Sequence, residues 1–204
     1  MQKKMLIAVI VIALVATTAA VLLRKDITNN HSCKSNYIEE IYAMKNTSIT
    51  DKVDVGRVAK TVNKTEYEFV GVDIWNDAGD DRVDVKFKVD DRSKYRYIDY
   101  TAINKTAVLM LALIPDADAV AFYIFDEYGD ENNLETSFNG SYFDRALVHE
   151  RTGMDKFNIE YIDNACESID TFKEYYSVVT NIVGKDTKSE WQDKMYAFIM
   201  SFSL

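Results

Sequence analysis

Apolar residues fall along this chain in three patterns, and each predicts a different kind of element. The first is continuous. From Met5 to Leu23 no charged side chain occurs over 19 positions, about the length a helix needs to cross a hydrocarbon core roughly 30 Å thick. The run has no polar face, which suits a bilayer better than one side of a soluble core. Thr17, Thr18, Ala19 and Ala20 also allow it to be read as a secretory signal with a cleavage region. The apolar stretch is longer than a signal core and continues through Val21, Leu22 and Leu23, which favours an uncleaved anchor over secretion after cleavage. Lys3, Lys4 and the α-amine precede it, and Arg24 and Lys25 follow. That small excess places the N-terminus inside and the remainder outside the cytoplasm.

The second pattern has helical spacing. Val55, Val58, Ala59 and Val62 stand at i, i+3, i+4 and i+7, with Asp51 or Asp54 available as a cap. Thr101 to Ile114 is apolar on nearly every side from Ala107 onward and meets Pro115, which predicts a central buried helix with a hard stop. Tyr142, Phe143, Ala146 and Leu147 repeat at helical spacing, with Gly153 as the stop. Ile169, Phe172, Tyr176, Val179 and Val183 share a helical face, with Asn164 and Glu167 at capping-box spacing and Gly184 after the end. A last amphipathic helix carries Trp191, Met195, Phe198, Ile199 and Phe202, with Thr187 and Glu190 at capping-box spacing.

The third pattern alternates. Glu66 to Trp75 reads as a strand, and Val83, Val85, Phe87 and Val89 alternate cleanly with Asp84, Lys86 and Lys88. Between these runs lies Asn76-Asp77-Ala78-Gly79-Asp80-Asp81, whose residue types tolerate turn geometry, so the two strands form an antiparallel hairpin. Val120, Phe122 and Ile124 give a third strand, followed by a polar loop from Tyr128 to Asn133. The expected architecture is α+β: an antiparallel sheet of at least three strands packed by several helices and preceded by one transmembrane helix. Residues 1–25 are the anchor or signal segment, 26–36 a polar linker, and 37–204 a single extracytoplasmic domain.

Charge changes the list of partners more than the fold. Residues 1–25 hold four basic and no acidic side chains, leaving 20 basic against 33 acidic in residues 26–204, a formal charge of −13. Such a surface repels phosphate backbones, which argues against nucleic-acid binding. With a single proline and 48% apolar residues the chain has the composition of a folded domain.

Candidate chemistry is sparse. Asp77, Asp80, Asp81 and Asp84 offer oxygen ligands of the kind calcium takes, but without the spacing of a known binding loop, and hairpin tips collect Asp for backbone reasons. Asp126, Glu127, Asp130 and Glu131 read the same way. His31 lies in the linker, and His149-Glu150 lacks the second His of a helical zinc site. Cys166 stands in the first turn of a predicted helix among Asp163, Glu167 and Asp170, which oppose thiolate formation. Cys33 and Cys166 either pair, closing a long loop for up to roughly 5 kcal/mol, or stay as free thiols. The residues before Cys33 are polar and do not form a lipid-attachment signal. Tyr95, Tyr97 and Tyr100, with Arg96 between them, form either an aromatic patch or ordinary packing. Asn30, Asn46, Asn63, Asn104 and Asn139 begin glycan-acceptor triplets, meaningful only in a eukaryotic host. No catalytic, cofactor-binding or metal-ligating residue is assigned.

Three segments in order carry a likeness: Lys45-Asn46-Thr47-Ser48-Ile49-Thr50-Asp51 before the first helix, the hairpin ending in Val85-Lys86-Phe87, and Asn104 to Ile114 followed by Pro115-Asp116-Ala117-Asp118. Together, over roughly residues 40–150, they resemble the bacterial domain-of-unknown-function family 4825. Thr50 stands where that family favours glycine, and this hairpin turn is more acidic. The resemblance implies an extracytoplasmic bacterial domain behind one membrane segment and implies no activity or functional residue. The expected role is therefore a membrane-tethered module that contacts the bilayer through residues 5–23 and binds a protein partner or envelope component. Two alternatives are an envelope hydrolase using Asp77, Asp80 or Asp84 as acid and base, and a domain stabilised by calcium.

Overall fold

The computed structural model describes residues 36–77, 80–91 and 98–182. The Met5–Leu23 run, His31, Cys33, Tyr95, Arg96, Tyr97, Val183, Gly184 and the helix expected around Trp191 to Phe202 lie outside the described residues, as does the hairpin tip at 78–79. No helix among the described residues is long and apolar enough to cross a membrane. The chain divides into two compact units, Met1–Glu40 and Ile41–Leu204. A helix, α1, covers residues 36–42, and everything below concerns the second unit.

Asp51 starts helix α2 (Lys52–Val62) by accepting from the backbone of Val53 and Asp54. The expected stripe of Val55, Val58, Ala59 and Val62 is buried. Strands β1 (Glu68–Asp77) and β2 (Asp80–Lys88) pair antiparallel from Glu68↔Lys88 to Asp77↔Asp80, as the alternation predicted. A bulge falls at Val70, between Phe69 and Gly71. Helix α3 (Tyr100–Leu113) is capped by Asp99, which accepts from Ala102, and is buried from Ala102 to Leu113 apart from Lys105. Its few buried polar groups are satisfied: Asn104 Nδ2 donates to Arg151 O, and Thr106 Oγ1 donates to Ala102 O while accepting from Lys64 N.

Strand β3 (Ala119–Phe125) follows α3 and pairs with β2 in parallel, Val83 beside Val120 through Lys88 beside Phe125. The all-antiparallel sheet expected from the sequence is thus corrected to a mixed one, in the order β1-β2-β3-β4. The reason is the connection: a helix stands between β2 and β3, and a crossover of that length returns the chain in the same direction. β3 is central and buried on both faces, Tyr123 alone being half-exposed.

Strand β4 (Asn139–Asp144) corrects a second expectation, since the spacing of Tyr142 and Phe143 predicts the start of a helix. Here β4 pairs antiparallel with β3, placing Tyr142 beside Ala121 and Phe143 beside Val120. Asn139 and Gly140, poor in a helix interior, and the strand partner already in place decide against the helical period. The helix starts later, as α4 (Val148–Thr152), and stops at Gly153, whose φ of 68° is the left-handed geometry that glycine adopts without strain. After α5 (Ile159–Asp163) and a 3-10 turn at Asn164–Cys166 comes α6 (Ile169–Thr180). Ser168, not Asn164, is its cap, accepting from Thr171 N. Its inner face is Phe172, Tyr175 and Val179; Tyr176 lies one position round, where its hydroxyl accepts from Lys64 Nζ at 2.9 Å.

The sheet has two unlike faces. Val72, Val83, Val85, Phe87, Val120 and Phe122 line one, all buried. The other carries Asp73, Trp75, Arg82, Asp84, Lys86 and Tyr123. The acidic turn after Pro115 ties the layers together. Asp116 accepts from Ile49 N and Ser48 Oγ, and Asp118 accepts from Asp81 N and donates its own N–H to Asp81 O.

Candidate binding groove

Because β1 is the outer strand, its hydrogen-bonding side away from β2 is open: among the described residues, no backbone hydrogen bond leaves residues 68–77 except toward β2. Helix α2 flanks that edge. Lys52, Gly56 and Lys60 recur every four residues and so lie one above another on the helix. Between this row and residues 69–73 of β1 runs a groove of about 590 Å³, whose lining also includes Glu131 and Asn132.

Two glycines shape it. A Cβ on Gly56 would meet Val72 Cγ2 at 3.7 Å and Phe69 at 4.0 Å, ordinary contact distances, so α2 lies close against β1. A Cβ on Gly71 would meet nothing within 4 Å, so a side chain there would project into the groove rather than into the core.

The lining is basic in an acidic protein. Lys52, Arg57, Lys60 and Lys86 stand against Asp73 and Glu131. Asp73 is shared between Lys52 at 2.8 Å and Lys86 at 2.5 Å. Those ammonium groups, Lys52 foremost, hold its carboxyl below the usual carboxylate range. Arg57 pairs with Asp54 at 2.8 Å on the helix surface. Lys60 is exposed in the last turn of α2 and has no partner among the described residues.

Inward from Asp73 on the same face, its cross-strand neighbour Asp84 is fully buried. Arg82 donates to both its oxygens, Nε at 2.7 Å and Nη2 at 3.2 Å, and stacks its guanidinium 5.2 Å from the Trp75 ring. Burial pushes the Asp84 carboxyl above the usual range, and Arg82 offsets only part of that. Unfolded, Asp84 titrates near 3.8; folded, it holds its proton to higher pH. The stability contributed by its neutral form is complete below the unfolded value and is lost as pH rises through the folded one. Asp84→Asn does not titrate, so its melting temperature relative to wild type rises as pH is raised from about 4. Each tenfold change in the acid constant is worth about 1.4 kcal/mol of that difference. A difference that fell over the same rise in pH would mean that attraction to Arg82 outweighs burial.

The residues singled out in the sequence scatter. Asp81 and Asp84 of the hairpin do not converge: Asp81 pairs through its backbone with Asp118, and Asp84 is enclosed with Arg82; the side chains of Asp77 and Asp80 lie outside the description. In the second acidic stretch Asp126 accepts from Tyr128 N and Asp130 from Asn132 N, which are turn-closing roles, while Glu131 lines the groove. Among the described residues no three His, Cys, Asp or Glu side chains group as a metal site requires. His149 is half-buried in α4. Cys166 is a free thiol that donates to Ala112 O at 3.3 Å, and burial pushes it up to about 11, so it is protonated at neutral pH. Tyr100 opens α3, with its hydroxyl 3.4 Å from Asn139 Oδ1.

Sequence reasoning missed the groove residues. Lys52, Arg57 and Lys60 look like any solvated helix face, and only the pairing order reveals that β1 is an edge beside them. Compared with protein-family models, curated proteins and solved structures, the chain has no match in any of the three.

Proposed function

We propose that this chain is a membrane-tethered extracytoplasmic module that binds a protein partner or envelope component through the groove between α2 and β1. The observation that carries the reading is the open edge of β1 alongside a helix, an arrangement that accepts an extended chain by backbone pairing. The tether is residues 5–23, supported by the uncharged apolar run and by the likeness to extracytoplasmic family 4825.

The test uses the full chain, purified from its own membranes in mild detergent, beside Gly71→Val. Valine suits a strand and meets no atom at the Cβ position, so the variant keeps its melting temperature while filling the groove. A component that copurifies with wild type and drops at least about tenfold with Gly71→Val, roughly 1.4 kcal/mol, is the expected result. Identical sets of copurifying proteins, or none, would remove the groove as the binding surface. Protease added to intact cells should degrade the domain; protection until lysis would reverse the topology.

A further inference from the structure

The groove's chemistry specifies its occupant more narrowly, given that it is the binding surface. We infer that it takes an extended acidic peptide segment, added as a fifth strand on the outer edge of β1 with carboxylates directed at the basic row of α2. Three observations carry this. From Gly71 onward β1 keeps unbroken register with β2, so its outer groups have the regular spacing that a further strand matches. The bulge at Val70 limits that pairing to the stretch after it. Side chains of an added strand alternate, so every second one faces α2 and its Arg57 and Lys60.

Charge then selects among extended peptides. The chain as a whole carries −9, which disfavours an acidic partner at long range. Charges separated by more than about 8 Å are largely screened at physiological salt, so the local lining decides. Locally, the lining sets Lys52, Arg57, Lys60 and Lys86 against Asp73 and Glu131: Lys52 and Lys86 share the carboxylate of Asp73, Arg57 is paired with Asp54 outside the lining, and Lys60 has no counterion among the described residues, which leaves a small basic surplus. A basic peptide would meet this surplus unfavourably, and a neutral one would leave it unused.

The test is selection from a display library of short random peptides, panned on the full chain in detergent, with Gly71→Val and Lys60→Glu as counter-baits. Expected binders are enriched in Asp and Glu at alternate positions, bind at least about tenfold more weakly to either variant, and weaken as salt is raised. Lys60 is exposed and has no partner among the described residues, so Lys60→Glu lowers the melting temperature only slightly, through the dipole at the last turn of α2, and leaves the domain folded. Binders lost on Gly71→Val but without acidic enrichment would overturn the acidic assignment and leave the groove as the binding surface. Binders indifferent to Gly71→Val, or no binders, would overturn both.

Discussion

Arg145→Ala is expected to lower stability by about 4 kcal/mol, because it leaves several buried acceptors without a donor at once. The guanidinium of Arg145 is almost wholly buried at the end of β4. Its Nη2 donates to Leu111 O at 2.7 Å and Ile114 O at 2.8 Å, its Nε to Ala117 O at 2.9 Å, and its Nη1 to Asp163 at 2.8 Å. Leu111 and Ile114 are at the C-terminal end of α3, where carbonyls lack helical partners and the helix dipole favours positive charge. Pro115 follows Ile114 directly and supplies no N–H to that end. One side chain thus ties together the end of the central helix, the turn after it and the last residue of α5. For a domain of this size the loss corresponds to a melting temperature lower by on the order of 10 °C. Arg145→Lys restores little, since an ammonium on a flexible stem cannot span the fork that reaches these acceptors. Asp163→Ala costs less than Arg145→Ala, because that carboxylate is 49% exposed and the three carbonyls still hold the guanidinium. An Arg145→Ala loss below about 1 kcal/mol would show that water replaces the guanidinium freely.

Phe122→Ala is expected to cost a similar amount, about 4 kcal/mol, by a different mechanism. Phe122 is fully buried on the apolar face of the sheet. It stacks on Phe87 at 5.9 Å with the rings 6° apart and meets Phe143 edge-on at 5.6 Å. Truncation loses the transfer energy of the ring and opens a cavity on a strand held by partners on both sides, so the walls cannot close in. Phe122→Leu keeps most of the volume and costs less than about 2 kcal/mol. Denaturant melts of the three proteins read the order directly. A Phe122→Ala loss under about 2 kcal/mol would mean that the three-ring stack is loosely packed.

Much of the fold was legible along the chain, wherever one local signal had no rival. α2 shows its Asp51 cap and its 3.6-residue stripe, β2 its strict alternation, and α3 its unbroken apolar run ending at proline. Gly153 is the helix stop that its residue type suggested. Signals misled where two periods fitted the same residues. Tyr142 and Phe143 match a helical face as adjacent members and match a strand as one inward and one outward residue; pairing with β3 chose the strand. Similarly, Asn164 with Glu167 has the spacing of a capping box, but the 3-10 turn at Asn164–Cys166 moves the helix start to Ser168. The site was the least legible part. Asp84 and Lys86 are two of the alternating polar residues of one strand, and nothing in that alternation distinguishes a carboxylate enclosed by Arg82 from a solvated one.

By itself the sequence determined quantities that depend on neighbours within a turn or two: the Asp51 cap of α2, the stops at Pro115 and Gly153, the hairpin, and the charge and apolar run of the N-terminal segment. Tertiary structure decided the parallel pairing of β2 with β3, the burial of Arg145 on the end of α3, and the exposure of the β1 edge beside a basic helix face. The physical reason is common to these three. Each is a relation between segments far apart in the chain, set by which surfaces remain after the core has closed, and local periodicity carries no information about that remainder.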